Sequence, residues 1–167
     1  MEEKGKQGAE GQGILGEEPL EKKRTVDVMF VLDRSGSMAD DIEAVRSNIG
    51  IFLIELEKQE HASIDWRIGF LAQDATMEWI WLDLCSGLEQ FRSKLATVHA
   101  SKWDEATPHA TDYALEHASW RVGAKSFLVV LTDEPAETGH EGAWQKDDPA
   151  AWNVLKEKFE AVCSKIA

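Results

Sequence analysis

The sequence has few basic residues for its length, and this shortage excludes one large class of partners. Lysine and arginine total 18 against 31 aspartate and glutamate residues, which gives a formal net charge of −13 over 167 residues. A main partner made of nucleic acid would require a basic surface that neutralises phosphates. The first 24 residues contain 5 basic and 6 acidic side chains, so nearly all of the excess acidity belongs to the remaining chain. We therefore expect no nucleic-acid partner.

Cysteines and long apolar stretches are also scarce. Cys85 and Cys163 lie far apart and form no Cys-x-x-Cys or Cys/His pattern. This favours free thiols in a reducing compartment over a disulfide or a zinc site. No apolar run approaches the roughly 18 residues that span a bilayer, and residues 1–24 contain no apolar segment typical of a secretion signal. These absences predict a cytoplasmic protein without membrane insertion.

Sequence patterns that identify several common enzyme classes are missing. The chain has no Gly-x-Ser-x-Gly nucleophile elbow, no Walker A sequence and no Gly-x-Gly-x-x-Gly after its first predicted strand. We therefore expect a protein without catalytic activity of its own.

The chain divides into a polar leader and one predicted domain. Residues 1–24 are rich in Gly, Glu, Lys and Gln, which predicts a flexible leader, and residues 25–167 form the domain. Val26 with the apolar run 28–32, and the apolar run 127–131, predict strands that are buried on both faces. Apolar residues at helical spacing predict helices at 42–56, 88–98, 107–120 and 149–166.

Two further strand-like stretches indicate how the sheet is organised. Residues 64–73 and 77–84 are separated only by the short segment 74–76, so they can pair only as an antiparallel hairpin. Buried strands that alternate with helices predict an α/β fold. The predicted architecture is a doubly wound, mostly parallel sheet with one antiparallel edge hairpin and helices on both faces.

Oxygen-bearing side chains follow both buried strands. Asp33 begins a D-x-S-x-S pattern that continues through Ser35 and Ser37, and Asp133 follows the second strand. Sites in such sheets form at the carboxyl ends of strands, where the strand order reverses. Oxygen ligands in a tight loop suit a hard divalent cation such as Mg²⁺. Taken one at a time, these residues are more typical of turns and helix caps.

Taken together, these patterns resemble the von Willebrand factor type A domain and its metal-ion-dependent adhesion site. The family's D-x-S-x-S, helix-opening threonine and strand-closing Thr-Asp correspond here to Asp33-Arg34-Ser35-Gly36-Ser37, Thr107-Pro108 and Thr132-Asp133. The resemblance implies a Rossmann-like fold over residues 25–167. It also implies direct or water-mediated metal ligation by Asp33, Ser35, Ser37, Thr107 and Asp133. The implied cofactor is Mg²⁺, with Mn²⁺ or Ca²⁺ as alternatives, and the implied partner is a protein that presents an acidic side chain.

The sequence departs from the family pattern in two places. Glu134-Pro135 follows the Thr-Asp pair where the family commonly has glycine. We therefore expect the rim of the metal site to have a different shape at this point. The chain also stops in its last predicted helix, before the final strand and helix of the family fold. We therefore expect a truncated domain, or another segment that covers the apolar edge. Asp104, Glu105 and Glu134, near the same rim, are interpreted as solvated surface charges.

Two other functions stay open from the sequence. A strand-end aspartate with Mg²⁺ also occurs in phosphotransfer proteins, where it accepts a phosphoryl group. That function needs an acidic pair near the first strand, but Asp27 lies a strand length away from Asp33. A metal-free scaffold is the other alternative. It is disfavoured because all five positions have side chains with oxygen atoms that can bind a metal.

Two tryptophans share one face of the predicted hairpin. Trp79 and Trp81 are two residues apart, a spacing that places both side chains on the same side of a strand. Packing beneath a helix is the favoured interpretation, and a recognition surface is the alternative. His109, two residues beyond Thr107, is interpreted as a surface histidine.

Overall fold

A four-stranded sheet forms the centre of the structure. The computed structural model describes residues 24–58, 64–133 and 149–166. The elements in chain order are β1 (Arg24–Asp33), a 3-10 turn (Ser37–Ala39), α1 (Ile42–Lys58), β2 (Ile64–Gln73), β3 (Ile80–Cys85), α2 (Leu88–Leu95), α3 (Thr107–His117), β4 (Lys125–Leu131) and α4 (Pro149–Ile166). The predicted leader lies outside the described residues except for Arg24, which begins β1.

The strands run in the order β3-β2-β1-β4. β1 pairs in parallel with β2 on one side and with β4 on the other, and β3 pairs antiparallel with β2. The prediction of a mostly parallel sheet with an antiparallel edge hairpin is therefore confirmed. Because the chain continues from β3 to β4 across β1, the carboxyl ends of β1 and β4 meet where the strand order reverses.

β1 is buried on both faces, as its continuous apolar run predicts. Phe30 and Leu32 belong to the cluster formed with α1 and α2, whereas Met29 and Val31 pack towards α3 on the opposite face. None of these four side chains is more than 7% exposed. Helices therefore cover both sides of the strand that ends at Asp33, and packing fixes the position of that residue.

A glycine sits where the hairpin pairing is irregular. The register between β2 and β3 shifts between Ile68 and Phe70. A Cβ atom on Gly69 would lie 2.8 Å from the carbonyl oxygen of Leu82 and 2.8 Å from the terminal methyl carbon of Met29. The close approach of two strands at this irregularity therefore requires glycine.

β3 begins later than the predicted stretch 77–84. Met77 has a φ of 62°, a left-handed backbone conformation that side chains other than glycine seldom adopt. A residue in this conformation cannot continue a strand, so residues 77–79 belong to the connection and β3 starts at Ile80.

A buried ion-pair cluster ties the strands together at the amino end of the sheet. Asp27 has no solvent exposure. Its carboxylate accepts hydrogen bonds from Arg67 at 3.1 and 2.9 Å and from Nε of Arg121 at 2.9 Å. Burial raises the pKa of Asp27, but the hydrogen bonds from Arg67 and Arg121 and the charge of Arg67 outweigh this effect and hold the pKa below its ordinary value. The cluster joins β1 to β2 and to the segment before β4.

β4 forms the second edge of the sheet. Within the described residues it pairs only with β1. Its Phe127 side chain is 42% exposed, and Phe127, Val129 and Leu131 line an apolar groove of about 590 Å³ together with residues of β1 and α1. The β4 edge of the sheet is therefore largely apolar.

The last helix packs against α3. Lys158 of α4 donates a hydrogen bond to Asp112 and lies 3.6 Å from Glu116 Oε1. Several side chains of the predicted buried face of this helix lie outside the described part of the chain. Among the described residues, no helix is both long enough and apolar enough to cross a membrane.

Candidate metal centre

The Asp33–Ser37 segment forms a tight turn at the carboxyl end of β1. Asp33 Oδ1 accepts a hydrogen bond from the backbone nitrogen of Ser35 at 2.7 Å, which is the contact of an Asx turn. The turn brings the hydroxyl oxygens of Ser35 and Ser37 to within 2.9 Å of each other. The first three residues of the predicted site therefore share one local cluster of oxygen atoms.

The end of β4 joins this cluster through two hydrogen bonds. Ser37 Oγ donates to Asp133 Oδ1 at 3.1 Å, and Thr132 Oγ1 donates to Asp33 Oδ2 at 2.7 Å. Residues 96 and 99 positions apart in the chain thus meet side chain to side chain. The structure thus brings together four of the five predicted ligands, namely Asp33, Ser35, Ser37 and Asp133. The hydrogen bond from Thr132 orients the Asp33 carboxylate.

Thr107, the fifth predicted ligand, is held by a residue that sequence reasoning missed. Thr107 opens α3 and is 1% exposed. Its hydroxyl accepts a hydrogen bond from Gln73 Nε2 at 2.7 Å, and Gln73 Oε1 accepts one from the backbone nitrogen of Ala106 at 2.6 Å. The hydroxyl is thus oriented by Gln73 rather than by the other four side chains. The available signal in the sequence was a polar residue at the end of the predicted strand 64–73.

Backbone hydrogen bonds hold the loops of the site side by side. The amide of Gly36 donates to the carbonyl of Trp103 at 2.9 Å, and the amide of Ser101 donates to the carbonyl of Arg34 at 2.7 Å. These contacts fix the segment that precedes Thr107 against the turn that contains Ser35. The loop that leads to Thr107 and the turn that contains Ser35 and Ser37 are therefore held against each other.

Asp33 is a buried carboxylate whose partners are neutral. It is 1% exposed, and its hydrogen-bond donors are the amide of Ser35 and the hydroxyl of Thr132. Within the described ranges no lysine or arginine forms an ion pair with it, since Arg34 instead pairs with Asp74 at 2.7 Å. A buried carboxylate without a countercharge is costly, so a bound cation would stabilise this arrangement.

The donor chemistry fits a hard divalent cation. Two carboxylates and three hydroxyls make up the predicted set, and oxygen donors are the ligands that Mg²⁺, Mn²⁺ and Ca²⁺ accept. In the part of the chain that the structure describes, no three His, Cys, Asp or Glu side chains could hold a metal ion together. A cation site here therefore depends on the hydroxyls of Ser35, Ser37 and Thr107 as well as on the carboxylates.

The neighbouring acidic residues differ from one another in burial. Asp104 is exposed, in keeping with a solvated charge. Glu105 is only 5% exposed, so its interpretation as a solvated surface charge is wrong. The hydrogen bonds from Ala75 N to the carbonyl of Asp104 and from Ala106 N to Gln73 draw this loop onto the end of β2. Glu134 lies outside the described residues.

Asp27 does not form an acidic pair with Asp33. The two residues are six positions apart on β1, and the Asp27 carboxylate is engaged by Arg67 and Arg121. The acidic pair that phosphotransfer chemistry requires is therefore not supplied by Asp27.

Comparisons with known proteins agree with this architecture. The family model of the von Willebrand factor type A domain matches residues 27–158. A search of curated proteins finds no significant match. Among solved structures, the conserved hypothetical protein BatB from Bacteroides thetaiotaomicron is similar, with a TM-score of 0.58 and 22% identity over 80% of this chain.

Two further solved structures share the fold. The pilus adhesin SpaC from Lactobacillus rhamnosus GG, in an open conformation, has a TM-score of 0.54 and 19% identity over 68% of this chain. Proximal thread matrix protein 1 from the mussel byssus, with a zinc-occupied MIDAS motif, has a TM-score of 0.57 and 14% identity over 81% of this chain. The chain spans 62% of BatB, 34% of the byssus protein and 15% of the adhesin.

Proposed function

Because the chain belongs to the von Willebrand factor type A domain family, we propose that it is a protein-binding module that captures an acidic side chain of a partner through Mg²⁺. The observation that carries this proposal is the burial of Asp33 among neutral hydrogen-bond donors. Elsewhere on the same strand, the buried Asp27 has two arginine partners. The lack of such a partner for Asp33 within the described residues supports a cation as its countercharge.

The five oxygen-bearing side chains have complementary roles in this proposal. Asp33 and Asp133 contribute negative charge, while the hydroxyls of Ser35, Ser37 and Thr107 contribute oxygen ligands without adding charge. When bound, the divalent cation supplies a positive centre that accepts a carboxylate on an otherwise acidic protein. Mn²⁺ and Ca²⁺ are alternative occupants, and the zinc-occupied motif of the byssus protein supports a divalent ion at a site of this kind.

The exposure of the ligands suggests the direction of partner approach. Ser37 and Asp133 are exposed, whereas Asp33, Ser35 and Thr107 are buried. The site is therefore covered by protein on the side of Asp33, Ser35 and Thr107 and is open to solvent on the side of Ser37 and Asp133. We propose that the acidic side chain of the partner enters from that side and that no chemical conversion follows.

A thermal melt in the presence and absence of Mg²⁺ tests the metal site. A ligand at about 100 times its dissociation constant stabilises the folded state by about 2.7 kcal/mol, which corresponds to several degrees for a domain of this size. We expect chelator-stripped protein to melt at a higher temperature in Mg²⁺, and the Asp33→Asn variant to lose that increase. Asp41→Asn, an exposed position with the same charge change, is the matched control. A melting temperature that is insensitive to Mg²⁺, Mn²⁺ and Ca²⁺ would contradict the proposal.

Capture of a carboxylate needs a separate experiment. The probes are the peptides acetyl-Gly-Glu-Gly-amide and acetyl-Gly-Gln-Gly-amide, titrated in Mg²⁺ and in EDTA. We expect only the Glu peptide to bind, and only in Mg²⁺. Equal binding of the two peptides would refute carboxylate capture but would not contradict the metal site. Incubation with acetyl phosphate tests the enzymatic alternative, because phosphotransfer predicts an added phosphate mass on Asp33.

A further inference from the structure

An aromatic groove lies between α3 and the β2–β3 hairpin. It has a volume of about 440 Å³ and is lined by Leu71, Met77, Trp79, Trp81, His109, Asp112, Tyr113, Glu116 and His117. Both tryptophans pack partly against the core cluster beneath α3, as the favoured interpretation of the sequence predicts. Their packing is incomplete, however, because both remain half-buried and face the groove.

The aromatic rings of the groove are held in a fixed arrangement. Tyr113 contacts Trp79 edge-to-face at a centroid distance of 5.4 Å and Trp81 at 5.8 Å. His117 stacks on Tyr113 at 3.9 Å. Trp79 Nε1 donates a hydrogen bond to the carbonyl of Asp74 at 3.0 Å, which fixes its indole ring. The groove is therefore pre-organised, which reduces the entropic cost of binding.

The wall formed by Met77 adds a second indication of a binding role. Its φ of 62° is strained for any residue with a side chain, and glycine would adopt it at lower cost. Position 77 nevertheless has a methionine, whose side chain is 44% exposed and lines the groove. Such strain persists where the surrounding structure enforces it, and it is found frequently at ligand sites.

The rim of the groove is acidic. Asp112 and Glu116 lie one turn apart on α3, and both line it. Lys158 of α4 donates a hydrogen bond to Asp112 and lies near Glu116. The two carboxylates therefore already bind one cationic side chain of this protein. Aromatic faces beside carboxylates are the environment that a cation prefers.

We propose that this groove binds an arginine side chain of a partner protein. A guanidinium group is planar, stacks on aromatic rings and donates hydrogen bonds to carboxylates, which a lysine ammonium cannot do in the same geometry. The two tryptophans and the side of Tyr113 away from His117 provide the ring surfaces, and Glu116 provides the carboxylate that Lys158 engages more weakly. The formal net charge of −13 favours approach of a basic segment. This site does not require the metal centre.

The interaction is tested by NMR in EDTA, so that its outcome is separate from that of the metal site. The probes are acetyl-Gly-Arg-Gly-amide and acetyl-Gly-citrulline-Gly-amide, which have nearly the same shape but differ in charge. We expect the Arg peptide to shift the indole N–H signals of Trp79 and Trp81 in a saturable manner. The exposed Trp103, which is 61% accessible and outside the groove, is the internal control. Equal shifts from both peptides, or no shift at the two groove signals, would overturn the proposal.

Three variants of groove residues and their neighbour Lys158, with a fourth variant as control, assign the interaction to particular groups. Tyr113→Leu and Glu116→Gln, both at exposed helix positions, are expected to weaken binding of the Arg peptide by about 2- to 5-fold. Lys158→Met removes the competing cation and is expected to strengthen binding by about 2- to 5-fold. Phe127→Leu alters an exposed aromatic residue outside the aromatic groove, and this variant should bind the Arg peptide with unchanged affinity. Unaltered binding in both Tyr113→Leu and Glu116→Gln would place the peptide elsewhere and refute the site.

Discussion

Gln73 donates a hydrogen bond to Thr107 across 2.7 Å, from the last residue of β2 to the first residue of α3. The same amide group accepts a hydrogen bond from the backbone of Ala106. Gln73 therefore fixes both the backbone at the start of α3 and the direction of a candidate ligand hydroxyl. It acts as a positioning residue for the proposed cation site.

Replacement of Gln73 by methionine should weaken both metal binding and folding. Loss of a residue that orients a metal ligand typically lowers metal affinity by about 10- to 100-fold. The unsatisfied amide of Ala106 should also cost about 1–3 kcal/mol of stability. Calorimetric titration with Mg²⁺ and urea unfolding measure the two effects. Gln90→Met, at an exposed position of α2, serves as the control, and an unchanged Mg²⁺ affinity in Gln73→Met would show that Thr107 needs no such support.

Thr132 should affect the site through Asp33. Thr132→Val keeps the shape of the side chain but removes the hydroxyl that donates to Asp33 Oδ2. We expect Mg²⁺ affinity to fall by about tenfold. Thr25→Val removes a hydroxyl at the opposite end of the sheet, where Thr25 donates to the carbonyl of Gly123. Comparable losses of affinity in the two variants would mean that the effect of Thr132 is not local.

The ion-pair cluster at Asp27 should make stability depend on acid pH. The pKa of Asp27 is lowered in the folded protein, so its contribution is complete above the unfolded value of about 3.9. The contribution is lost as pH falls below that value and through the folded pKa. Asp27→Ala should cost about 3–5 kcal/mol at neutral pH, because two arginines lose their buried partner.

The Asp27 prediction is checked by urea unfolding between neutral and strongly acidic pH. The difference in stability between the wild type and Asp27→Asn should shrink as the pH falls through the acid range. Asp40→Asn, an exposed position, should keep the wild-type pH dependence. A constant difference between wild type and Asp27→Asn at all pH values would show that the Asp27 carboxylate does not stabilise the fold through its charge.

Two glycines should respond in opposite directions to replacement by alanine. Gly69→Ala places a Cβ 2.8 Å from the carbonyl oxygen of Leu82, and overpacking of this kind costs about 1–3 kcal/mol. Gly50 lies within α1 and a Cβ there would meet nothing within 4 Å. Gly50→Ala should therefore stabilise the helix by about 0.5–1 kcal/mol. Chemical unfolding of both variants provides the comparison.

The sequence predicted features that depend on short-range patterns. The apolar run before Asp33 identified a strand that is buried on both faces, and the short connection after Gln73 identified the hairpin. Side-chain contacts between segments that are distant in the sequence could not be predicted from such patterns. Nothing local links Gln73 to Thr107 or Arg121 to Asp27, because these pairs form only after the strands take their places in the sheet.

Local signals also failed where the backbone departs from the conformation typical of its residue. Methionine gives no sign of a positive φ, so the predicted strand began at Met77 rather than at Ile80. Glutamate is usually solvent-exposed, so the burial of Glu105 was not foreseen. Both segments form hydrogen bonds with residues at or just after the end of β2, and residue preference alone does not reveal such contacts.

The two buried carboxylates of β1 have a joint consequence for how this domain can be unfolded. Asp27 and Asp33 are six residues apart, which is about 20 Å at about 3.3 Å per residue. Among the described residues they share no hydrogen-bond partner. Substitutions at sites separated by more than about 10 Å are usually additive, so Asp27→Asn and Asp33→Asn should change the free energy of unfolding additively. With the proposed cation bound, one strand would hold two buried carboxylates that are neutralised separately, one by arginines and the other by the cation.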